Sequence, residues 1–219
     1  MNPNTKIKVN DWVPTQISTP KSLRMSTDYH EQHFVKFPHV ASFHSRAELY
    51  HAAIKESLKR VPWFVPQPFR FQIGRTLYTP DCFVQEGNKK TIIEIKRGGR
   101  FDKPWREDFE EYLRVNGYHF QVISNEELYE QEILAENWLT IIRVLVRGQH
   151  YDTEPTERRL IEEIIPAEGA YFGELLDRNI PANRHLRELS IFRLLHKGCL
   201  CCNLSERDLN FDSWVTPCI

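Results

Sequence analysis

No stretch of this 219-residue sequence approaches the roughly 20 consecutive apolar residues of a membrane-spanning helix. The opening segment, Met1 to Asn10, is polar with two lysines and lacks the apolar run of a secretory signal, so a cytoplasmic protein is expected. Cysteine offers no framework either. Cys82, Cys199, Cys201, Cys202 and Cys218 are odd in number and irregular in spacing, which predicts free thiols in a reducing compartment rather than disulfides. An excess of one charge is also missing, and a formal net charge of -1 does not by itself announce a nucleic-acid binder. There is no internal repeat and no low-complexity tract. Hydrophobic residues at 41% and charged residues at 27% are ordinary for a folded protein, and the length holds one large domain or a medium domain with a small one.

Residues 1–40 carry Pro3, Pro14, Pro20 and Pro38 without sustained periodicity and read as an extended N-terminal arm. A helix is expected next, capped by Ser45, with Ala47, Tyr50, Ile54, Leu58 and Val61 forming one apolar stripe until Pro62 stops it. Phe69 to Ile73, Thr76 to Val84 and Thr91 to Lys96 have the β-branched and aromatic content of strands. Gly87-Asn88 lies midway between the last two, and a hairpin centred there pairs residues equidistant from it, so Asp81 faces Glu94. Pro104 then opens a helix carrying Trp105, Phe109, Tyr112 and Leu113, closed by Asn116-Gly117. A strand from Tyr118 to Ile123 follows, and Ser124-Asn125-Glu126-Glu127 is a capping box opening a long helix toward Val146. Residues 41–148 thus read as a mixed α/β sandwich. Gly148 to Thr156 is polar and reads as a linker, its core at 149–156. Beyond it, residues 157–219 offer short helices at Glu157 to Ile165, Phe172 to Leu176 and Leu186 to His196. With a strand at Cys199 to Leu204, this is the outline of a winged helix-turn-helix.

The chemistry concentrates on the predicted hairpin. Carboxylates directly opposite on antiparallel strands would have Cβ atoms about 4.5 to 5.5 Å apart, and like charges so placed destabilise a sheet unless something offsets them. A divalent cation does so, because Mg²⁺ is commonly held by one or two carboxylates plus water and phosphate oxygens. Glu94 and Lys96 share one strand face while Ile93 and Ile95 point into the core, so the hairpin presents Asp81, Glu94 and Lys96 together. Such a trio suits phosphodiester hydrolysis, with the cation polarising the phosphate and acidifying a bound water while the ammonium orients that water or balances charge. The plain alternative is a surface pair, Glu94 with Lys96, and a turn-forming Asp81 after Pro80. Against it stand the flanking Ile92, Ile93 and Ile95 of a central strand and the basic segment that follows. From Lys89 to Arg106, seven basic residues stand against two acidic ones, a local charge of +5. Arg97, Arg100, Lys103 and Arg106 are its candidate nucleic-acid contacts, and a solvated loop is its plain reading. Glu48 is either the reciprocal half of a capping box with Ser45 or a further acidic ligand, inner or outer, brought in by its helix.

Ser45-x-x-Glu48, Gln67-Pro68, Tyr78-Thr79-Pro80-Asp81 and Glu94-Ile95-Lys96, in that order, resemble the motif series of TnsA-type transposon endonucleases, within the PD-(D/E)xK superfamily. The resemblance spans about residues 40–125 and continues through Phe120-Gln121-Val122-Ile123. It implies a restriction-endonuclease-like fold, two-metal Mg²⁺ catalysis with Mn²⁺ as a substitute, and cleavage of the 5′ strands at transposon ends. A partner DDE-type transposase then cuts and joins the 3′ ends. By the same resemblance Glu48, Asp81, Glu94 and Lys96 are catalytic, the three carboxylates hold metal, and Gln67 is supporting. Some members have Gln where this chain has Glu94, which bears on the metal coordination. The C-terminal segment resembles the family's winged-helix domain, which implies contact with partner proteins, here an AAA+ ATPase regulator, and leaves contact with DNA open.

Other readings stay open: a restriction or repair nuclease of the same fold, or a DNA-binding adaptor with a silent nuclease domain. Neighbouring genes for a transposase and an AAA+ ATPase would separate them. Cys199, Cys201, Cys202, Cys218 and His196 are candidate zinc ligands, but C-x-C-C lacks the C-x₂-C knuckle, and core thiols are expected. Trp63, Phe64, Phe69 and Phe71 are expected in the core rather than as a base-stacking platform. His44, next to the Ser45 cap, either touches a DNA phosphate or has no role, and no role is expected.

Overall fold

A computed structural model describes residues 6–176 and 181–218. Pro3 and the rest of residues 1–5 lie outside the described residues, as do residues 177–180. The chain divides into two compact units. One comprises the described residues up to Lys55 together with Arg60–Gln131, and the other Glu56–Lys59 together with the described residues from Glu132 onward.

In chain order the first unit contains β1 (Ile7–Val9), α1 (Lys21–Ser26), β2 (His30–His33), β3 (Val40–Phe43), α2 (Arg46–Ser57), β4 (Trp63–Pro66), β5 (Phe71–Ile73) and β6 (Thr76–Tyr78). β7 (Cys82–Glu86), β8 (Lys89–Lys96), α3 (Arg106–Val115), β9 (His119–Ser124) and α4 (Asn125–Tyr129) complete it. Its principal sheet has the order β4-β7-β8-β9, antiparallel except for the parallel pair β8 and β9. A parallel neighbour requires a crossover, and α3 supplies it, burying Phe109 and Leu113. β8 has paired strands on both sides, which is why its run Thr91 to Ile95 is buried without interruption. The hairpin has the expected register, Cys82 opposite Ile93 and Phe83 opposite Ile92, around a turn where Gly87 adopts φ 55°.

Three expectations are corrected here. Thr76 to Val84 is not one strand. It breaks at Thr79-Pro80-Asp81, where proline has no N–H for a ladder, and β6 pairs with β5 in a separate sheet of order β1-β5-β6. Residues 6–40 are not simply an extended arm, since β1 pairs with β5, β2 with β3, α1 lies between β1 and β2 in the chain, and Trp12 stacks on Tyr118 with ring centroids 4.6 Å apart. The aromatic side chains Phe64, Phe69 and Phe71 are core as expected, but Trp63, on edge strand β4, is 36% exposed.

The second unit contains α5 (Glu132–Arg147), α6 (Glu154–Ile164), β10 (Ala170–Tyr171), α7 (Phe172–Leu175), α8 (Pro181–His196), β11 (Leu200–Cys202) and β12 (Trp214–Pro217). The strands form one antiparallel sheet of order β10-β12-β11. The expected long helix from Ser124 is interrupted between Tyr129 and Glu132, and α5 belongs to this second unit. The division therefore falls near Gln131 rather than in 149–156. That segment is no free linker, because the Arg193 guanidinium donates to the carbonyls of Gly148 (3.0 Å) and Tyr151 (2.9 Å), and Thr153 is buried. The cysteine expectation is corrected as well. Cys201 and Cys218 form a disulfide, Cys199 is exposed, and Cys82 alone is a buried thiol. Among the described residues, no helix is long and apolar enough to cross a membrane.

Candidate active site

The break at Pro80 is what shapes the site. Once β6 has ended, the Asp81 N–H donates to the Ile93 carbonyl (3.1 Å), and the Asp81 carboxylate turns back to accept the Ile95 N–H at Oδ2 (2.7 Å). Asp81 thereby extends the β7–β8 ladder with its side chain and is fixed against β8. Alternation along β8 sends Ile93 and Ile95 into the core and brings Glu94 and Lys96 to the side of Asp81. Lys96 Nζ lies 2.6 Å from Glu94 Oε1 and 3.8 Å from Asp81 Oδ2. Asp81, Glu94 and Lys96 are therefore together, as the hairpin register predicts.

Glu94 is almost completely buried, and its second oxygen, Oε2, accepts the hydroxyl of Tyr78 at 2.6 Å. Tyr78 stands at the end of β6 among Phe71, Phe101, Trp105 and Phe109. Burial, followed by the charge of Glu94, pushes its phenol far above the ordinary tyrosine value, so it remains a donor. Sequence reasoning assigned Tyr78 no role. The signal was its place three residues before Asp81, which only the break at Pro80 makes meaningful.

Glu48 takes the capping-box alternative. Its N–H donates to Ser45 Oγ (3.3 Å), Oε1 accepts from Ser45 Oγ (3.0 Å), and Oε2 accepts the His44 N–H (3.0 Å) and Gln67 Nε2 (3.0 Å). Both carboxylate oxygens are thus engaged by the start of the helix and by Gln67, so Glu48 has the contacts of a capping-box residue beside the centre. Its charge still reaches the centre. Asp81 is pushed well above the usual carboxylate range by burial, then by the charges of Glu94 and Glu48, against the opposing pull of Lys96. Glu48 is likewise raised, by burial first. Burial alone would lower Lys96, but Asp81, Glu94 and Glu48 outweigh it and raise its pKa, so the ammonium stays charged. Three carboxylates share one lysine.

Among the described residues, no three of His, Cys, Asp and Glu are grouped closely enough to enclose a metal ion on their own. A hard cation that keeps water and phosphate oxygens needs only one or two carboxylates. Asp81 Oδ1 accepts no hydrogen bond among the described residues, and Glu94 Oε1 already faces a cation, the Lys96 ammonium. These two are the residues that would hold the ion, and the surplus of negative charge fits one.

Immediately beyond Lys96 the chain turns sharply through Gly98 and Gly99, at φ 63° and 62°, conformations that favour glycine. Arg97, just before this turn, and Arg100 and Lys103, beyond it, are exposed. Arg106 is half-buried, and its Nε donates to Glu110 Oε1 at 2.7 Å, one turn along α3. The His44 ring Nε2 lies 2.9 Å from Thr19 Oγ1. No protein-family model matches the chain, and no curated protein sequence matches it.

Proposed function

We propose that the chain is a Mg²⁺-dependent DNA endonuclease of the PD-(D/E)xK type, the TnsA-like subunit that cuts the 5′ strands at transposon ends. The observation that carries the reading is the crowding of Asp81, Glu94 and Glu48 around the single ammonium of Lys96 on a buried hairpin. A structural cluster would balance its charges, whereas this one favours an added cation. Bound there, the ion would polarise a phosphate and acidify a water. Asp81 and Glu94 hold it, and the Ile95 N–H and the Tyr78 hydroxyl fix the two carboxylates. Lys96 orients the attacking water and offsets charge developing on the phosphate oxygens. Arg97, Arg100 and Lys103 lie next in the chain and contact the DNA backbone, which positions a strand without reading its sequence. The sheet β4-β7-β8-β9, with its parallel pair bridged by α3, supports a restriction-endonuclease-like core.

In the second unit, the order that follows α5, helix, strand, two helices, two strands, with β10 and β11 on either side of β12, supports a winged helix. That unit is where an AAA+ regulator would dock. Net charge near zero supplies little phosphate attraction, so efficient cutting awaits a DDE-type transposase that holds the ends.

The test is the assembled reaction with Asp81→Ala and Lys96→Ala. The 5′ cut should stop while the partner's 3′ cut and joining persist, so that fused donor-target products replace simple insertions. An unchanged share of simple insertions at sequenced junctions in both variants would remove the protein from the cutting step.

A further inference from the structure

Gln67 is held in a conformation that few residues other than glycine adopt, with φ 40°. Such a backbone persists only where its surroundings over-determine it. Here they do. Its N–H donates to the Asp81 carbonyl (3.0 Å), and its carbonyl accepts the Ile17 N–H (2.9 Å), beside a bond from Thr15 N–H to the Pro68 carbonyl (3.0 Å). Its buried side chain donates Nε2 to Glu48 Oε2 (3.0 Å) and accepts Gln16 Nε2 at Oε1 (3.1 Å). Gln16 Nε2 is also within reach of the Ser42 carbonyl (3.0 Å) and Oγ (2.9 Å), so both its protons are engaged.

We infer that residues 15–17, with Gln16 at their centre, are a positioning strap for the cation site, acting through Gln67 on both Glu48 and Asp81; this rests on the proposed nuclease reading of that site. The direction of each bond carries the argument. A carboxylate only accepts, so Glu48 must meet the amide nitrogen of Gln67, and the amide oxygen is then turned toward the N-terminal segment, where it needs a donor. Gln16 is that donor. Without it a buried amide oxygen is left unpaired, the amide is free to rotate, and Glu48 loses one of its donors. The backbone bond from Gln67 to the Asp81 carbonyl anchors the same bend that delivers the Asp81 carboxylate to Ile95. Gln16→Glu keeps the length of the side chain but has no proton to give. It must either face the Gln67 oxygen or turn that amide over and set its oxygen against Glu48. The isosteric change should therefore be worse than truncation to alanine, an order that loss of packing would not produce.

The experiment uses the full chain titrated with Tb³⁺, a hard cation whose luminescence Tyr78 and Trp105 can sensitise, with Mg²⁺ as competitor and melting measured without cation. Wild type should bind Tb³⁺ displaceably, and Asp81→Asn should not. Gln16→Ala should weaken binding by about 3- to 10-fold and Gln16→Glu by more than about 10-fold, in the range of supporting residues around metal ligands. Both variants should melt within a few degrees of wild type, as for one lost hydrogen bond. If both bind as wild type does while Asp81→Asn does not, the strap is wrong and the site reading stands. A Gln16→Glu no worse than Gln16→Ala, with affinity merely following melting temperature, also overturns the strap. If wild type shows no displaceable binding, or Asp81→Asn binds equally well, the site reading fails and takes the strap with it.

Discussion

Both units bury carboxylates, and they treat them differently. In the second unit, Glu157 is matched by Lys197 at 2.5 Å and by the Thr153 hydroxyl at 2.6 Å, and Glu56 Oε1 lies 2.7 Å from His196 Nε2. Each acid there has its own partner. In the first unit, Lys96 is placed to serve Glu94 and Asp81 while Glu48 adds a third negative charge. A paired buried charge holds a fold together, because removing its partner leaves an uncompensated charge. An unpaired surplus instead costs stability in the absence of a ligand and is relieved by one. The contrast separates acids that have a partner of their own from acids that share one.

The strongest way to break the comparison is Asp81→Asn, which keeps an acceptor for the Ile95 N–H but removes a charge. Cleavage should fall by well over about a hundredfold, beyond the range for supporting residues, while the cation-free protein melts at the same temperature or higher. A melting temperature many degrees lower would make Asp81 a structural acid like Glu157. The reverse is expected of Lys197→Ala. With the Lys197 side chain half exposed, the loss should be about 1 to 3 kcal/mol by denaturant titration, with no change in the Mg²⁺ dependence of cutting. Tyr78→Phe sharpens the contrast within the first unit. Its ring packing survives but Glu94 Oε2 loses its donor, so the cation-free protein should lose about 1 to 3 kcal/mol, and the Mg²⁺ concentration for half-maximal cleavage should rise by about tenfold as Glu94 loses its anchor.

The smallest effect is in pH dependence. Asp81 is raised from 3.8, so the native state keeps a proton that the unfolded chain releases, and stability declines as pH climbs above about that value. Glu48 contributes in the same direction above 4.5. His51 opposes them. Buried, and with no partner for Nε2 among the described residues, it is pushed down to about 3 from 6.5, so across that window the unfolded chain binds the extra proton and stability rises with pH. The difference between wild type and Asp81→Asn cancels the His51 contribution and should decline with pH, read as melting temperatures from pH 4 upward. A flat difference would return Asp81 to an ordinary carboxylate.

The centre of the site was legible because its determinants are local. Gly87-Asn88 fixes the register, and three isoleucines at 92, 93 and 95 mark a central strand, so the facing of Asp81 and the shared face of Glu94 and Lys96 follow from alternation. What escaped depends on partners distant in sequence. The strand Trp63–Pro66 is hidden by Pro62, Pro66 and Pro68, which an edge strand tolerates and a central one does not. Gln16 shows no pattern of its own, and its meaning comes from Ser42 and Gln67. The disulfide needed the pairing of β11 with β12, which brings residues 17 apart together across an irregular loop. Capping-box spacing at Glu48 fits a helix start and a site residue equally well, and its bond to Gln67, 19 residues on, appears only in the fold.

The β7–β8 turn has a further bearing on how this chain can change over time. Gly87, Asn88, Lys89 and Lys90 are exposed at the tip, while Glu94 lies six residues from Asn88, about 20 Å along an extended strand. An insertion confined to the tip lengthens a surface loop and leaves the far end in register. A single residue gained or lost between Thr91 and Ile95 instead exchanges the two faces of β8, burying Lys96 and exposing an isoleucine in its place. Length variation among descendants, or a fluorescent tag placed by an experimenter, is thus admitted at one end of the hairpin and forbidden at the other.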